Sequence, residues 1–242
     1  MSAYYNDHDP FIAEWLRNLA TRGLIESGWI DDRSIVDIRP GDLAGHLRCH
    51  FFAGIAGFDA ALRLLGWPAD AEIWTGGPPC QDTSIAAALY GTRRGLRGRR
   101  SGLAHVWLDL VAACRPRRLI FENVPGIRPW IAEITRRLEQ LGYRLCKPQR
   151  SAESVGAPHA RGRMFVAADL DGARFPLAWS PGSPTPARHA WAAPPGDFWR
   201  ETKPGIWRMD DGLPARMAIL RAFGNAVVPD QAAAAIADRW AA

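Results

Sequence analysis

Long apolar runs are missing from this 242-residue chain, so nothing in it offers the roughly 20 apolar residues a membrane-spanning helix needs. Cysteine is scarce. Cys49, Cys80, Cys114 and Cys146 stand far apart, without the paired spacing of a zinc site, and no metal is expected. Reduced thiols and a cytoplasmic location are the simplest expectation. The first residues, MSAYYNDHDP, have neither a basic head nor an apolar run, so no secretion signal is expected. Repeats and coiled-coil heptads are lacking too, which argues against solenoids and helical rods.

What is present is ample material for a core, with 48% hydrophobic residues, enough for one large domain or one domain with a small appendage. The formal net charge is +5 and the sequence pI about 9.4. Excess arginine points to a polyanionic partner. Position matters more than the total. GTRRGLRGRR (91–100) puts Arg93, Arg94, Arg97, Arg99 and Arg100 in a glycine-broken stretch, which argues for a loop. Alone it reads equally as a solvated surface loop; beside a reactive thiol, phosphate contact is the better reading.

Short apolar runs alternate with helix-like stretches. SIVDI (34–38), CHFFAG (49–54), AEIWTGG (71–77), RLIFEN (118–123) and RMFVAA (163–168) each look like a buried strand. DPFIAEWLRNLATRG, GFDAALRLLGW, LAHVWLDLVAACR and WIAEITRRLEQLGY carry apolar residues at helical spacing. This alternation predicts an α/β fold, a parallel sheet with helices on both faces, and ligand binding beyond the carboxyl ends of the strands. Asp37, Gly54, Cys80 and Glu122 all end or closely follow apolar runs. After about residue 170 proline, tryptophan and arginine crowd an aperiodic stretch, before an alanine-rich helix closes the sequence. The expected division is a catalytic domain at 1–170, a small irregular insert at 171–212, and a segment at 213–242 that returns to the first domain.

TGGPPCQDTS (75–84) holds Cys80 in a stiff polar turn that no apolar core would select. If the strands before Cys80 and Glu122 are neighbours, about 4.8 Å apart, thiol and carboxyl converge over one small ring. A thiolate with lowered pKa is a strong nucleophile, and a carboxyl in an apolar pocket becomes a proton or hydrogen-bond donor. Nucleophile plus acid is what addition to an electron-poor heterocycle needs. Taken singly, Cys80 also reads as an inert turn cysteine and Glu122 as a helix cap.

The glycine turn FFAGIAGF (51–58) joins strand to helix, a geometry that suits adenosine-containing cofactors. With TGGPPCQ, FENV (121–124), GAPHARGRMF (156–165) and FGNAVVP (223–229), in this order, the chain resembles the DNA (cytosine-5)-methyltransferase family over most of its length. That resemblance implies a Rossmann-like sheet, S-adenosyl-L-methionine as cofactor, double-stranded DNA as partner, and base flipping. A monomer is expected, with a role in restriction-modification or a phage. The family's usual order puts the glycine turn first. Here the segments resembling its ribose-binding and adenine-binding elements, YYNDHDPFIAEWLRNL (4–19) and SIVDIRPGDL (34–43), stand upstream, which implies a circular permutation.

By the same resemblance the cofactor lies over Phe52, Ala53, Gly54, Ile55 and Gly57. Asp7 meets the ribose, Asp37 the adenine amino group and Ile38 its ring, while His8 is placed to stack on adenine. Pro79, Leu103, Asn225 and Ala226 line the methionine end. Cys80 adds to carbon 6 of cytosine, Glu122 supports the ring nitrogen at position 3, and Arg163, with Arg161, holds the base carbonyl or nearby phosphates. Gln81, Ser84 and the arginine loop face DNA, and the insert, with Arg188, Arg200 and Arg208 among its tryptophans, is the target-recognition element. Departures from the family pattern are Ala56 for a glycine, Asp82 and Thr83 for Pro and Phe, and His159 for Gln. Two related alternatives stand beside this reading: an enzyme acting on transfer RNA cytosine, and a non-catalytic DNA-binding homologue. A nicotinamide-dependent dehydrogenase shares only the glycine turn and leaves Cys80 unexplained.

Overall fold

Four central strands are buried at every residue, or nearly so, and this sets the architecture. In the computed structural model, residues 2–79, 102–125, 128–157, 161–178 and 224–242 are described, the side chains of 128–130 excepted. The strands are β1 (Ala3–Asn6), β2 (Gly28–Asp31), β3 (Arg48–Phe51), β4 (Ile73–Gly76), β5 (Arg118–Asn123), β6 (Arg144–Cys146), β7 (Gln149–Arg150) and β8 (Arg163–Asp169). The helices are α1 (Pro10–Thr21), α2 (Gly57–Leu65), α3 (Leu103–Cys114), α4 (Arg128–Gln140) and α5 (Pro229–Trp240). The sheet runs β2-β1-β3-β4-β5-β8-β6, with β7 also paired to β8.

Alternating side chains build a core on each face. Phe51, Trp74, Leu119, Phe121 and Val166 meet Trp107, Leu108 and Val111 of α3 on one side. On the other, Ile73, Ile120, Phe165 and Ala167 meet Leu62 and Leu65 of α2 and Ala232, Ile236 and Trp240 of α5. Helix α1 covers Ala3 and Tyr5 with Ile12 and Leu16. It starts where Asp9 caps the Phe11 amide at 2.9 Å and Pro10 takes the first turn, where a missing N–H is harmless.

From β1 the chain winds outward to β2, then returns to β3 and proceeds the other way through β4 and β5. The direction of winding therefore changes between β1 and β3. That is the switch point at which open α/β sheets bind ligands, outside the carboxyl ends of the strands.

Two expectations need correction. SIVDI is not a strand: Ile35–Asp37 form a 3-10 turn, and the strand is the preceding GWID of β2. The sheet is not wholly parallel. Strand β8 runs antiparallel between β5 and the β6 edge. The short, half-exposed β6 and β7, read as no strand in the sequence, form an interrupted edge beside β8. In the expected insert, Phe175 and Leu177 pack into the α2–α5 core, and the Phe175 amide donates to the Trp240 carbonyl at 2.7 Å. Residues 179–223 lie outside the described residues.

Candidate active site

At the carboxyl end of β3 the backbone enters a tight turn in which Phe52, Gly54 and Ala56 all have positive φ, at 51°, 51° and 69°. For Phe52 and Ala56 this is a strained conformation that surrounding structure must hold. Asp7, at the end of β1, supplies part of the hold. Its carboxylate accepts from the Gly54 amide at 3.0 Å and from the Asp9 amide at 3.1 Å. The Asn6 carbonyl also accepts from Ala53 at 3.0 Å. Burial raises the Asp7 pKa, and the amides of Asp9 and Gly54 and the charge of His8 oppose that rise.

Open space lies over the turn: a Cβ built on Gly54 would meet nothing within 4 Å. Gly57 is different. A Cβ there would lie 2.5 Å from the Val227 carbonyl, so this glycine makes room for the C-terminal GNAVVP segment. It allows close packing of helix and chain beside the turn where cofactor contact is expected. Ile38, Phe52 and Leu103, expected at the adenine and methionine ends, belong to one apolar cluster. Asp37, His8 and Asn225 are exposed, and Ala53, Ile55, Pro79 and Ala226 are half-buried.

Strands β4 and β5 are neighbours, Gly76 opposite Phe121. Their adjacency brings Glu122 under the TGGPP turn, where its Oε2 lies 3.5 Å from the Cβ position of Gly77. The other oxygen, Oε1, is 2.5 Å from Nε of Arg163, both side chains being largely buried. Burial pushes the Glu122 carboxyl above its ordinary range, and the cations of Arg163 and Arg161 work against it. Buried Asn123 ties the two strand ends together: its amide donates to the Pro78 carbonyl at 3.3 Å and its oxygen accepts from Val124 at 2.8 Å. Pro78 stands two positions before Cys80.

Arg161, expected at the base carbonyl or nearby phosphates, lies close enough for its charge to act on Glu122 and is also tied to the C-terminal segment. Its Nη2 donates to the carbonyls of Gly224 at 3.1 Å and Ala226 at 2.7 Å. The guanidinium is thus engaged with the C-terminal segment. Cys80, Gln81, Ser84, Arg93, Arg94, Arg97, Arg99, Arg100, Arg188, Arg200 and Arg208 lie outside the described residues.

Residues 65–177 match the family model of C-5 cytosine-specific DNA methylase. That match spans just under half of the chain. The matched segment carries β4, β5 and β8, hence Pro79, Glu122 and Arg163 (β1 to β3 precede it). Relatives include the Type II methyltransferase M.AplI of Arthrospira platensis, 34% identical over 113 residues, covering 45% of this chain and 30% of that protein. The Type II methyltransferase M.XorII of Xanthomonas oryzae pv. oryzae is 26% identical over 201 residues, covering 76% of this chain and 45% of that protein. The alignments thus span less than half of either relative's length. Among solved structures, the Entamoeba histolytica methyltransferase EhMeth superposes with a TM-score of 0.46 at 17% identity, covering 69% of this chain and 44% of that one.

Sequence reasoning passed over Asn123 and Gln231, two buried amides. The signal for Gln231 was a lone polar residue at the head of the QAAAAI run. Among the described residues no group of three or more His, Cys, Asp or Glu could hold a metal, and no helix is long and apolar enough to cross a membrane.

Proposed function

We propose that this chain is a DNA cytosine-5 methyltransferase acting on double-stranded DNA with S-adenosyl-L-methionine, and that Cys80 is its nucleophile. The observation that carries this reading is Glu122, largely buried at the end of β5, with one oxygen beside Gly77 of the turn that leads to Cys80 and the other on Arg163. A carboxyl whose pKa burial raises, next to a cation, suits an electron-poor base ring.

The residues at the switch point fit the cofactor. The positive-φ turn leaves room over Gly54, and helix α2 begins there with its positive end toward the crevice. Asp7 uses one lone pair on each oxygen for backbone amides, which leaves acceptor capacity for ribose hydroxyls. Ile38 and Phe52 offer an apolar wall for a ring. When bound, S-adenosyl-L-methionine supplies an electrophilic methyl group for carbon 5.

The chemistry on this chain's side needs the target cytosine out of the duplex, since its ring is unreachable within the stack. The Cys80 sulfur bonds to carbon 6 while Glu122 gives a proton or hydrogen bond to the nitrogen at position 3. Arg163 holds the base carbonyl oxygen. Electron density then collects on carbon 5. Loss of the carbon 5 proton to a base or water, followed by departure of the thiolate, restores the ring.

Strands β1 and β2 beside the glycine-turn strand support a circularly permuted connection, since they supply the two elements that the family places after that turn. The insert, with Arg188, Arg200 and Arg208, is proposed as a short target-recognition element, and the arginine loop as a phosphate-contacting one. Incubating the chain with methyl-labelled cofactor, duplex DNA and transfer RNA tests the reading. Label is expected in duplex DNA at carbon 5 of cytosine and lost in Cys80→Ala. Label in transfer RNA alone, or undiminished transfer by Cys80→Ala, would overturn it.

A further inference from the structure

The strand that carries Arg163 enters the sheet through a clasp made by the C-terminal helix. In the first turn of α5, Gln231 is fully buried. Its amide nitrogen donates to two carbonyls at once, Arg150 at 2.8 Å and Arg161 at 2.8 Å. The amide oxygen has no partner among the described residues. Turning the amide over would press that oxygen against two carbonyls, so the orientation is fixed by the donors alone.

The Arg161 side chain completes the clasp from the other direction, donating to Gly224 and Ala226 just before α5. Main chain and side chain of one residue are thus each tied to the C-terminal segment. Two positions on, Arg163 pairs with Glu122. Through a Gln231 whose both N–H groups are used, α5 sets the height at which the Arg161–Arg163 arm meets the carboxyl. Asp238, about two turns later on the same helix, binds the Arg150 guanidinium but makes no bond to the arm.

We infer that Gln231 is a positioning residue that holds Arg163 against Glu122, and so couples docking of the C-terminal helix to the reacting end of the sheet. The inference rests on the methyltransferase reading for its kinetic consequence, and on geometry alone for its structural one. Titratable and charged groups acting on Glu122 are Arg163, from β8, and Arg161, from the arm before it.

Two variants of the full chain separate positioning from simple docking. Gln231→Met keeps the length and loses the donors, while Asp238→Asn removes the α5 ion pair with Arg150, the residue opposite Arg163 in the β7–β8 pair, but leaves both Gln231 donors in place. Gln231→Met is expected to lower kcat about tenfold to a hundredfold, the cost of a misplaced group, with KM for DNA changed less than about threefold. The alkaline limb of its kcat profile is expected to move to higher pH, because a receding cation favours the protonated carboxyl. Asp238→Asn is expected to keep the wild-type profile.

Amide hydrogen exchange gives a readout that needs no activity. Residues 162–164 are expected to exchange faster in Gln231→Met and at the wild-type rate in Asp238→Asn. If Gln231→Met does not fold, Gln231→Asn, which keeps the amide but falls short of both carbonyls, is expected to show the same exchange and profile. Unchanged exchange at 162–164 overturns the inference, as does an equal shift in Asp238→Asn. A wild-type chain that transfers no methyl group to DNA overturns the functional reading instead and leaves the exchange result to decide the clasp.

Discussion

The Asp7 carboxylate accepts a hydrogen bond from the Gly54 amide at 3.0 Å, linking the ends of two neighbouring strands across the switch point of the sheet. The bond joins residues 47 positions apart, and it props a turn whose neighbours Phe52 and Ala56 sit at positive φ. The crevice is therefore shaped before any ligand enters it.

Removing that prop with Asp7→Ala is expected to weaken S-adenosyl-L-methionine binding about tenfold to a hundredfold, the worth of one or two hydrogen bonds to a charged group. Asp7→Asn, which keeps one acceptor oxygen, is expected to fall between the two. Isothermal titration of the three proteins measures this. Equal dissociation constants would remove Asp7 from the cofactor site.

Glu122 makes a pH-dependent contribution whose sign follows from its surroundings. Burial raises its pKa above the ordinary 4.5, so the folded state holds the proton more firmly than the unfolded one. Stability is then expected to fall as pH rises from about 4.5 through the raised value. Glu122→Gln carries no such proton. Its melting temperature is expected to exceed that of the native protein at pH 8 and to converge with it near pH 4.5. Arg163→Met, which takes away the opposing cation, is expected to extend the loss to higher pH. Parallel melting curves for Glu122→Gln and the native protein across that range would show that the carboxyl titrates normally.

His50 gives a second and opposite window. It is buried between β1 and β4, its Nδ1 2.8 Å from Oγ1 of Thr75 and its ring stacked 4.9 Å from Tyr5. Burial brings its pKa down from 6.5 to about 4, with Asp59 opposing and Arg48 assisting. The unfolded chain takes up a proton that the folded one refuses. Stability is expected to be lost as pH falls from 6.5 toward 4, on the order of 3 kcal/mol in all, at about 1.4 kcal/mol per pH unit. Urea unfolding of the native protein and His50→Gln between those limits checks it: the native slope should be steeper by close to one proton.

Much of the sheet was legible because its strands are buried on both faces. RLIFEN coincides with β5, and RMFVAA begins where β8 begins. Direction was not legible, since an apolar run has the same spacing whichever way it is paired, and β8 turned out antiparallel. SIVDI deceived because its apolar residues do pack, Ile35 and Ile38 both being buried, but from a 3-10 turn. GWID was hidden by an opening glycine and by Trp29, which is 64% exposed on the outermost strand. At the site, Glu122 and Arg163 were readable as types with a chemistry. Their supports were not. Asn123 and Gln231 act through backbone carbonyls, and no sequence pattern marks which carbonyl an amide will reach.

One more consequence follows from Gly57, whose missing side chain admits the Val227 carbonyl. The glycine turn and the tail of the chain share a wall, 170 positions apart in sequence. Free energies of two events that share a wall are reciprocal. Whatever steadies the turn must also slow the peeling of the tail, and a tail pulled loose must cost the turn part of its grip. Protease resistance near the carboxyl terminus should therefore report what occupies the crevice at the start of α2.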